Sequence, residues 1–129
     1  MSQNESQADL FYEEVVRAGK LYTFTEDGEH LIFPFGEGEV IPFWSSRIRI
    51  ATIQKTHAEY DACEISEETL EDVLLRMLPI LESEGVQIGI NWSGKSLTGL
   101  DLSAADLREN LMLWINKIAQ ENRSEESTD

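Results

Sequence analysis

Apolar residues recur with the period of an α-helix in several stretches of the chain. The segment from Ala8 to Ala18 has one apolar side and is followed by Gly19, a residue type that commonly ends helices. A longer segment from Glu67 to Glu84 follows Ser66, which suits a helix N-cap. We expect two amphipathic helices here. The apolar stripe of the longer one comprises Leu70, Val73, Leu74, Met77, Leu78 and Leu81.

Two further segments are predicted to be helical. After Ser103 the apolar positions again follow a helical period to about Gln120, and we expect Ser103 to cap that helix. The stretch from Arg47 to His57 is ambiguous, because its first residues alternate like a strand whereas its isoleucines suit a helix. We favour the helix. The segment from Glu59 to Ile65 is expected to be a loop or a short extended piece.

Strand patterns fill the region between the first two helices. Lys20 to Glu26 is rich in Tyr, Thr and Phe, and Asp27-Gly28 is a strong two-residue hairpin turn. The chain returns from Glu29 to Phe35, and a third strand follows from Glu39 to Trp44. These three segments predict an antiparallel meander.

One more strand is indicated near residues 86–92, where apolar and polar or small residues alternate strictly. This alternation would place Ile88, Ile90 and Trp92 on one face. The fold class is therefore α+β, a small and mostly antiparallel sheet packed with about four helices. We expect one domain over residues 8–121. The polar stretches 1–7 and 122–129 have too few apolar groups to offset the entropy of ordering and are predicted to be disordered.

The same strand contains a match to a phosphate-binding motif. Gly89, Gly94, Lys95 and Ser96 fit the pattern G-x-x-x-x-G-K-[ST] at every required position. That motif needs a strand that ends at its first glycine and a helix that starts at the Lys-Ser pair. Here the alternation carries the strand through Gly89, and the residues after Ser96 predict a strand or loop. We therefore interpret the match as a strand followed by a turn.

Charge and composition narrow the classes of partner. The chain has a net charge of −15, and only four of its 25 acidic residues lie outside residues 8–121. This balance disfavours nucleic acid and anionic membranes as partners and would favour a basic protein. The N-terminus shows no secretion signal, and Cys63 is the only cysteine. We expect a cytoplasmic location and interpret Cys63 as a packed residue.

Three stretches together resemble a known family. They are the hairpin with its Asp-Gly turn, the segment IPFWSSR from Ile41 to Arg47, and EGVQIGINWSGKSLTGLDLS from Glu84 to Ser103. This combination is similar to the bacterial domain of unknown function 2750 family over roughly Phe11 to Leu111. The resemblance implies a small single-domain bacterial protein of the cytoplasm. It implies no activity, cofactor or catalytic residue.

Candidate chemistry is sparse. His30 and His57 are the only histidines, neither has a second His or Cys at ligand spacing, and we predict no metal site and no cofactor. No serine lies in a nucleophile-elbow pattern, so no catalytic residue is predicted. Strand ends beside polar turns are the places where a ligand cleft would lie. The candidate ligand-binding residues, suited to a small anion or a peptide, are Trp44, Arg47, Asn91, Trp92, Ser93 and Lys95.

An acidic run without a base offers a second candidate surface, between Glu59 and Asp72. The candidate partner-binding residues are Glu64, Glu67, Glu68, Glu71 and Asp72. Our leading hypothesis is a non-enzymatic binding or regulatory module, one version being an acidic immunity-like protein that neutralises a basic toxin or nuclease. The alternative is an enzyme or small-molecule sensor that uses the region of Trp44, Asn91 and Trp92.

Overall fold

The computed structural model describes residues 3–127, which form an α+β fold as the sequence predicts. The helices are α1 (Gln3–Ala18), α2 (Arg47–Thr56), α3 (Leu70–Asp72), α4 (Leu78–Glu84) and α5 (Ala104–Ser127). The strands are β1 (Lys20–Glu26), β2 (Glu29–His30), β3 (Phe33–Phe35), β4 (Gly38–Phe43), β5 (Glu64–Thr69), β6 (Gln87–Ser93) and β7 (Thr98–Ser103). A single 3₁₀ turn, Ala58–Tyr60, follows α2.

The terminal helices are longer than the sequence pattern suggests. α1 begins at Gln3 rather than Ala8, and α5 continues to Ser127 rather than ending near Gln120. Helical backbone therefore extends into both stretches that were predicted to be disordered, while residues 1–2 and 128–129 lie outside the described residues. The boundaries of the domain at residues 8 and 121 stay a prediction.

The strands form two sheets that share one junction. One sheet has the order β2-β1-β5, and the other has the order β3-β4-β6-β7. The sheets meet where Tyr22 and Trp44 exchange two backbone hydrogen bonds of 2.8 and 2.7 Å. The predicted strand Glu29–Phe35 is thus divided between the two sheets. β2 returns beside β1 through the expected turn, in which both Asp27 and Gly28 have a positive φ, whereas β3 pairs with β4.

Most strand pairs are antiparallel, but β4 and β6 run parallel, with Ile41 opposite Ile88. A parallel pair needs a long crossover. Here the crossover contains α2, β5 and the helical segment 70–84. The crossover starts at the β4–α2 junction, which lies beside β6, since the backbone N–H of Ser45 donates to the side chain of Asn91.

The chain around residue 66 is a strand, so the predicted helix Glu67–Glu84 starts too early and the predicted loop Glu59–Ile65 ends too late. Residues 64–69 form β5, which pairs antiparallel with β1 along its whole length, with Tyr22 opposite Glu67. Thr69 is the true N-cap, since its side chain accepts a hydrogen bond of 3.1 Å from the backbone N–H of Asp72. The pairing with the long edge of β1 outweighs the helix propensity of the glutamates, so Ser66 is not a cap.

Pro79 changes the hydrogen bonding of the helical segment 70–84. Proline has no N–H, so it cannot make the hydrogen bond to the carbonyl four residues earlier. Immediately before it, residues Val73–Met77 adopt a π-helical turn, in which the N–H of Leu78 donates to the carbonyl of Val73. α4 then continues to Glu84 and ends at Gly85, which has a φ of 71°. The proline is therefore accommodated by widening the turn that precedes it.

One predicted cap and the helix favoured for the ambiguous stretch are confirmed. The Ser46 side chain accepts a 3.3 Å hydrogen bond from the backbone N–H of Arg49, so the ambiguous stretch is the helix α2. The hydroxyl of Ser103 likewise accepts a 3.0 Å hydrogen bond from the N–H of Asp106 at the start of α5.

The buried side chains form two clusters on opposite faces of β4 and β6. The larger cluster joins α1, α5 and the segment 70–84 to one face, where Ile41, Phe43, Ile88 and Ile90 lie. The smaller cluster fills the space beneath α2 and is largely aromatic, with Phe24 and Tyr60 stacked at a centroid distance of 5.1 Å. Trp44 and Trp92 both belong to the smaller cluster.

Candidate functional site

A bulge in β6 places Trp92 on the face opposite to the one predicted. The pairing of β6 with β7 is regular up to Ile90 and resumes at Ser93, and between them Asn91 has a φ of 49°. An extra residue in a strand reverses the side-chain alternation beyond it. Trp92 therefore leaves the face of Ile88 and Ile90 and turns towards α2. The strict alternation assumed over residues 86–92 is wrong at this residue.

Gly89 is the surface on which the Trp92 indole rests. A Cβ built at Gly89 would collide with Nε1 and the adjoining ring carbons of Trp92. The indole Nε1 donates a 2.9 Å hydrogen bond to Oδ1 of Asp101 in β7. Gly89 thus lies inside a strand, opposite Pro42 and Asp101, and serves side-chain packing.

The geometry after Gly94 differs from that of a phosphate loop. Residues 94–97 form a turn, in which the N–H of Leu97 donates to the carbonyl of Gly94, and β7 follows at Thr98. The chain therefore continues as a strand after Ser96, where the motif requires the start of a helix. Lys95 lies exposed in the turn.

Asn91 also ties β6 to the start of α2. Its Oδ1 accepts a 2.9 Å hydrogen bond from the backbone N–H of Ser45, and its Nδ2 donates to the Ser45 hydroxyl at 3.0 Å. The side chain of asparagine tolerates a left-handed backbone better than most. One residue therefore both creates the bulge and fixes the β4–α2 junction.

The network continues from Ser45 to α1. The Ser45 hydroxyl donates a 2.5 Å hydrogen bond to Oε1 of Glu14, and Ser45 is only 2% exposed. Arg49 in the first turn of α2 donates to both oxygens of the same carboxylate, at 2.9 and 3.0 Å. The Arg49 guanidinium holds the pKa of Glu14 below its ordinary value, and Glu14 in turn raises the pKa of Arg49. Bidentate pairing of this kind fixes geometry as well as charge.

Beside this network lies a cleft of about 320 Å³ between α1, α2 and the end of β6. At its base the indole Nε1 of Trp44 donates a 2.8 Å hydrogen bond to the carbonyl of Trp92. Ile48 stands at the rim and is 79% exposed. The apolar residues that line the cleft are Leu10, Trp44, Ile48, Ile53 and Trp92.

The structure brings four of the six candidate ligand-binding residues to this cleft, namely Trp44, Asn91, Trp92 and Ser93. The other two lie elsewhere. Arg47 packs over the ring of Tyr22 at 5.4 Å and pairs with Glu67 at 3.5 Å, and Lys95 lies in the β6–β7 turn.

Sequence reasoning missed two charged members of the site. Arg49 lies two residues after the candidate Arg47, and residues at that spacing lie on opposite sides of a helix. Arg49 could therefore have been found by considering both sides of the predicted helix. Glu14 could not, because nothing in the sequence distinguishes it from the other acids of α1.

The acidic candidates occupy two different elements. Glu64, Glu67 and Glu68 lie on β5, while Glu71 and Asp72 lie in the first turn of α3, where carboxylates are favoured by the helix dipole. Several of them are paired within the fold: Glu67 with Lys20 and Arg47, and Asp72 with Arg76. These ion pairs disperse the uniform negative surface that the sequence suggests.

Among the described residues, the remaining candidate groups show no feature that indicates a reactive thiol or a metal site. Cys63 is buried, and its burial raises the pKa of the thiol, which disfavours the reactive thiolate. Within residues 3–127, no group of three or more His, Cys, Asp or Glu side chains is placed to hold a metal ion. None of the helices in this part of the chain has the length and apolar character needed to cross a membrane.

The fold and the cleft define a small α+β protein with an aromatic-lined cleft between two helices and a bulged strand. Residues 8–111 match the family described as protein of unknown function (DUF2750), and the chain belongs to that family. The resemblance seen in the sequence is confirmed. A search of curated proteins finds no match to this chain.

Proposed function

We propose that this protein is a non-enzymatic binding module that holds an apolar group of its ligand in the cleft between Trp44 and Trp92. The observation that carries the proposal is the exposed isoleucine at the rim of an aromatic-lined concavity. Ligand sites in proteins are concave and mostly apolar, with few polar groups. Ile48 is exposed although it lies beside Leu10 and Trp44, so a ligand that covered it would bury apolar surface.

The polar groups around the cleft support binding rather than catalysis. The indole N–H groups of Trp44 and Trp92 both donate within the fold, and Asn91 is bonded to Ser45. The Ser45 hydroxyl donates to a carboxylate whose other partner is an arginine, which lowers the basicity of that carboxylate. A general base needs the opposite environment, one that raises its pKa towards neutrality.

The ligand expected from this lining is an aliphatic or aromatic side chain of a protein or peptide, or a small molecule of similar character. Gln7, Thr52, Ser93 and the Arg49 guanidinium are polar groups at the cleft that could orient it. The proposed site is thus in the region predicted from the sequence, but the expected ligand presents an apolar group and not a small anion.

A basic protein is the second candidate partner. The net charge of −15 favours it, as does the position of three acids on a strand at the edge of a sheet. An immunity-like role, in which the acidic protein neutralises a basic toxin, would use this surface.

The cleft is tested by titrating the protein with 8-anilinonaphthalene-1-sulfonate, an apolar aromatic probe with one anionic group, and following the three indole N–H signals by NMR. We expect the Trp44 and Trp92 signals to shift together, while the Trp114 signal, on α5 and outside the cleft, stays in place.

Two matched variants locate the probe. Ile48→Asp should weaken binding about tenfold, because it puts a charge at the apolar rim. Ile80→Asp replaces another exposed isoleucine, on α4 and away from the cleft, and should have no effect. The proposal is wrong if the Trp114 signal alone responds, if neither cleft signal moves, or if both variants bind like the wild type.

A further inference from the structure

β5 is an edge strand with one side open. It pairs with β1 along six residues, and no other strand among residues 3–127 pairs with its outer side. One bond fixes which residues of β5 are hydrogen-bonded to β1, namely the bond in which the N–H of Leu70 donates to the carbonyl of Gly19, directly opposite. In an antiparallel ladder the hydrogen-bonded pairs alternate. The backbone groups of Glu64, Ser66 and Glu68 therefore face β1, and those of Ile65 and Glu67 face outward.

The other side of β1 confirms this phase. Tyr22, which lies opposite Glu67, directs its N–H and carbonyl away from β5 to Trp44. Glu67 consequently directs its own N–H and carbonyl away from β1. Unpaired backbone groups in such a row can accept the strand of another chain.

The two faces of β5 differ in charge. Glu67 is neutralised by Lys20 at 3.4 Å and Arg47 at 3.5 Å on the face towards α2. On the other face, Glu64 is exposed and forms no ion pair with the described residues, and Glu68 has His30 at 3.3 Å as its nearest base. A strand laid along β5 would meet negative charge on that second face only.

A second copy of this chain does not suit the edge. β5 carries three glutamates and no base, so two copies of it paired edge to edge would place like charges together, which is destabilising. A strand that alternates basic residues with uncharged ones complements both faces. Its basic residues would lie beside Glu64 and Glu68, and its uncharged residues beside Ile65 and Thr69.

We propose that β5 accepts an extended segment of a basic partner as an additional strand, with alternate lysine or arginine residues on the face of Glu64 and Glu68. This inference rests on the basic protein partner of the proposed function, and it is separate from the cleft, because β5 contains none of the residues that line the Trp44–Trp92 cleft.

The test uses a short synthetic peptide that alternates lysine with valine or threonine, added to the full-length protein. Amide hydrogen exchange measured by NMR is expected to slow at Ile65 and Glu67 on binding, whereas the amides of Ser66 and Glu68 are already bonded to β1. The cleft signals of Trp44 and Trp92 should not move, which separates this surface from the proposed ligand site.

Two peptide controls separate strand addition from attraction between charges. A peptide of the same charge whose backbone is N-methylated at alternate residues cannot form the ladder, and it should not bind. A peptide with glutamate in place of lysine should fail as well. The proposal is wrong if the methylated peptide binds as tightly as the parent, or if binding leaves exchange at Ile65 and Glu67 unchanged.

A pair of protein variants tests the same edge from the other side. Glu67→Pro removes one outward N–H without removing a bond to β1, and proline is tolerated on edge strands. Glu67→Gln removes the same charge but keeps the N–H. We expect the proline variant to bind the lysine peptide about tenfold more weakly than the glutamine variant, a difference of the size of one hydrogen bond. Equal affinities of the two variants would contradict strand addition.

Discussion

The Trp92 indole lies directly on Gly89, three residues earlier in the same strand. The contact exists because Asn91 adopts a left-handed conformation and reverses the alternation of β6 after Ile90. A Cβ at Gly89 would overlap the indole, so this position requires glycine. The glycine that opens the apparent phosphate motif is thus explained by packing.

Gly89→Ala should destabilise the protein by roughly 2 kcal/mol, as expected for overpacking a well-filled site. The indole cannot shift freely, because its Nε1 is bonded to Asp101 and its other side faces the cluster beneath α2. The free energy of unfolding measured in urea checks this. Gly38→Ala in β4 is the matched control, since its added Cβ would meet only the Phe35 carbonyl at 3.8 Å. Equal loss in both variants would contradict the role assigned to Trp92.

Lys95→Ala should leave the stability nearly unchanged, and the wild-type protein should not bind ATP or GTP. Lys95 is exposed in a turn that leads into β7, and a strand occupies the place where a phosphate loop needs a helix N-terminus. Thermal melting and isothermal calorimetry check the two parts. Micromolar nucleotide binding that disappears in Lys95→Ala would overturn this interpretation.

Much of the fold was predictable because its signals are local. The Asp27-Gly28 hairpin and the Ser103 cap each depend on residues only a few positions apart. β5 was missed because its conformation depends on β1, whose paired residues lie 39 to 49 positions earlier in the chain. A run of glutamates after a serine favours a helix locally, and only the register with β1 makes it a strand.

In the candidate site, too, the features with local sequence signals were predictable and those that depend on distant contacts were not. Trp44 and Trp92 could be proposed from the sequence because aromatic residues at strand ends stand out. Their actual arrangement depends on a single left-handed residue, Asn91, in a strand that otherwise alternates regularly. The role of Glu14 could not be predicted from the sequence, because its partners Ser45 and Arg49 are more than thirty residues away.

Removing residues 1–7 and 122–129 together should change the melting temperature by only a few degrees. The last ion pair before the second cut joins Glu121 to Arg17, and it is retained. Both of its side chains are about half exposed, so it contributes little in any case. Thermal unfolding followed by circular dichroism checks this prediction. A large drop in melting temperature would show that one of these ends packs on the domain.

Glu14→Gln should lower the stability at neutral pH, because the carboxylate joins α1 to α2 and to Ser45. The pKa of Glu14 in the folded protein lies below its ordinary value of 4.5, chiefly through hydrogen bonding to Arg49. A lowered folded pKa means that the unfolded chain takes up the proton first as the pH falls. The stabilising contribution is therefore complete above pH 4.5 and is lost as the pH falls through the folded pKa.

The variant should accordingly approach the wild type in acid. Urea unfolding at a series of pH values is expected to show a difference in free energy that is constant from neutrality down to about pH 5 and shrinks below pH 4.5. Glu13→Gln is the control on the same helix, since Glu13 pairs with Arg17 on the exposed surface and should give a small difference throughout. A gap between wild type and Glu14→Gln that persists undiminished below the folded pKa would mean that the glutamine disturbs packing. The link between α1, α2 and the cleft would then not depend on the charge of Glu14.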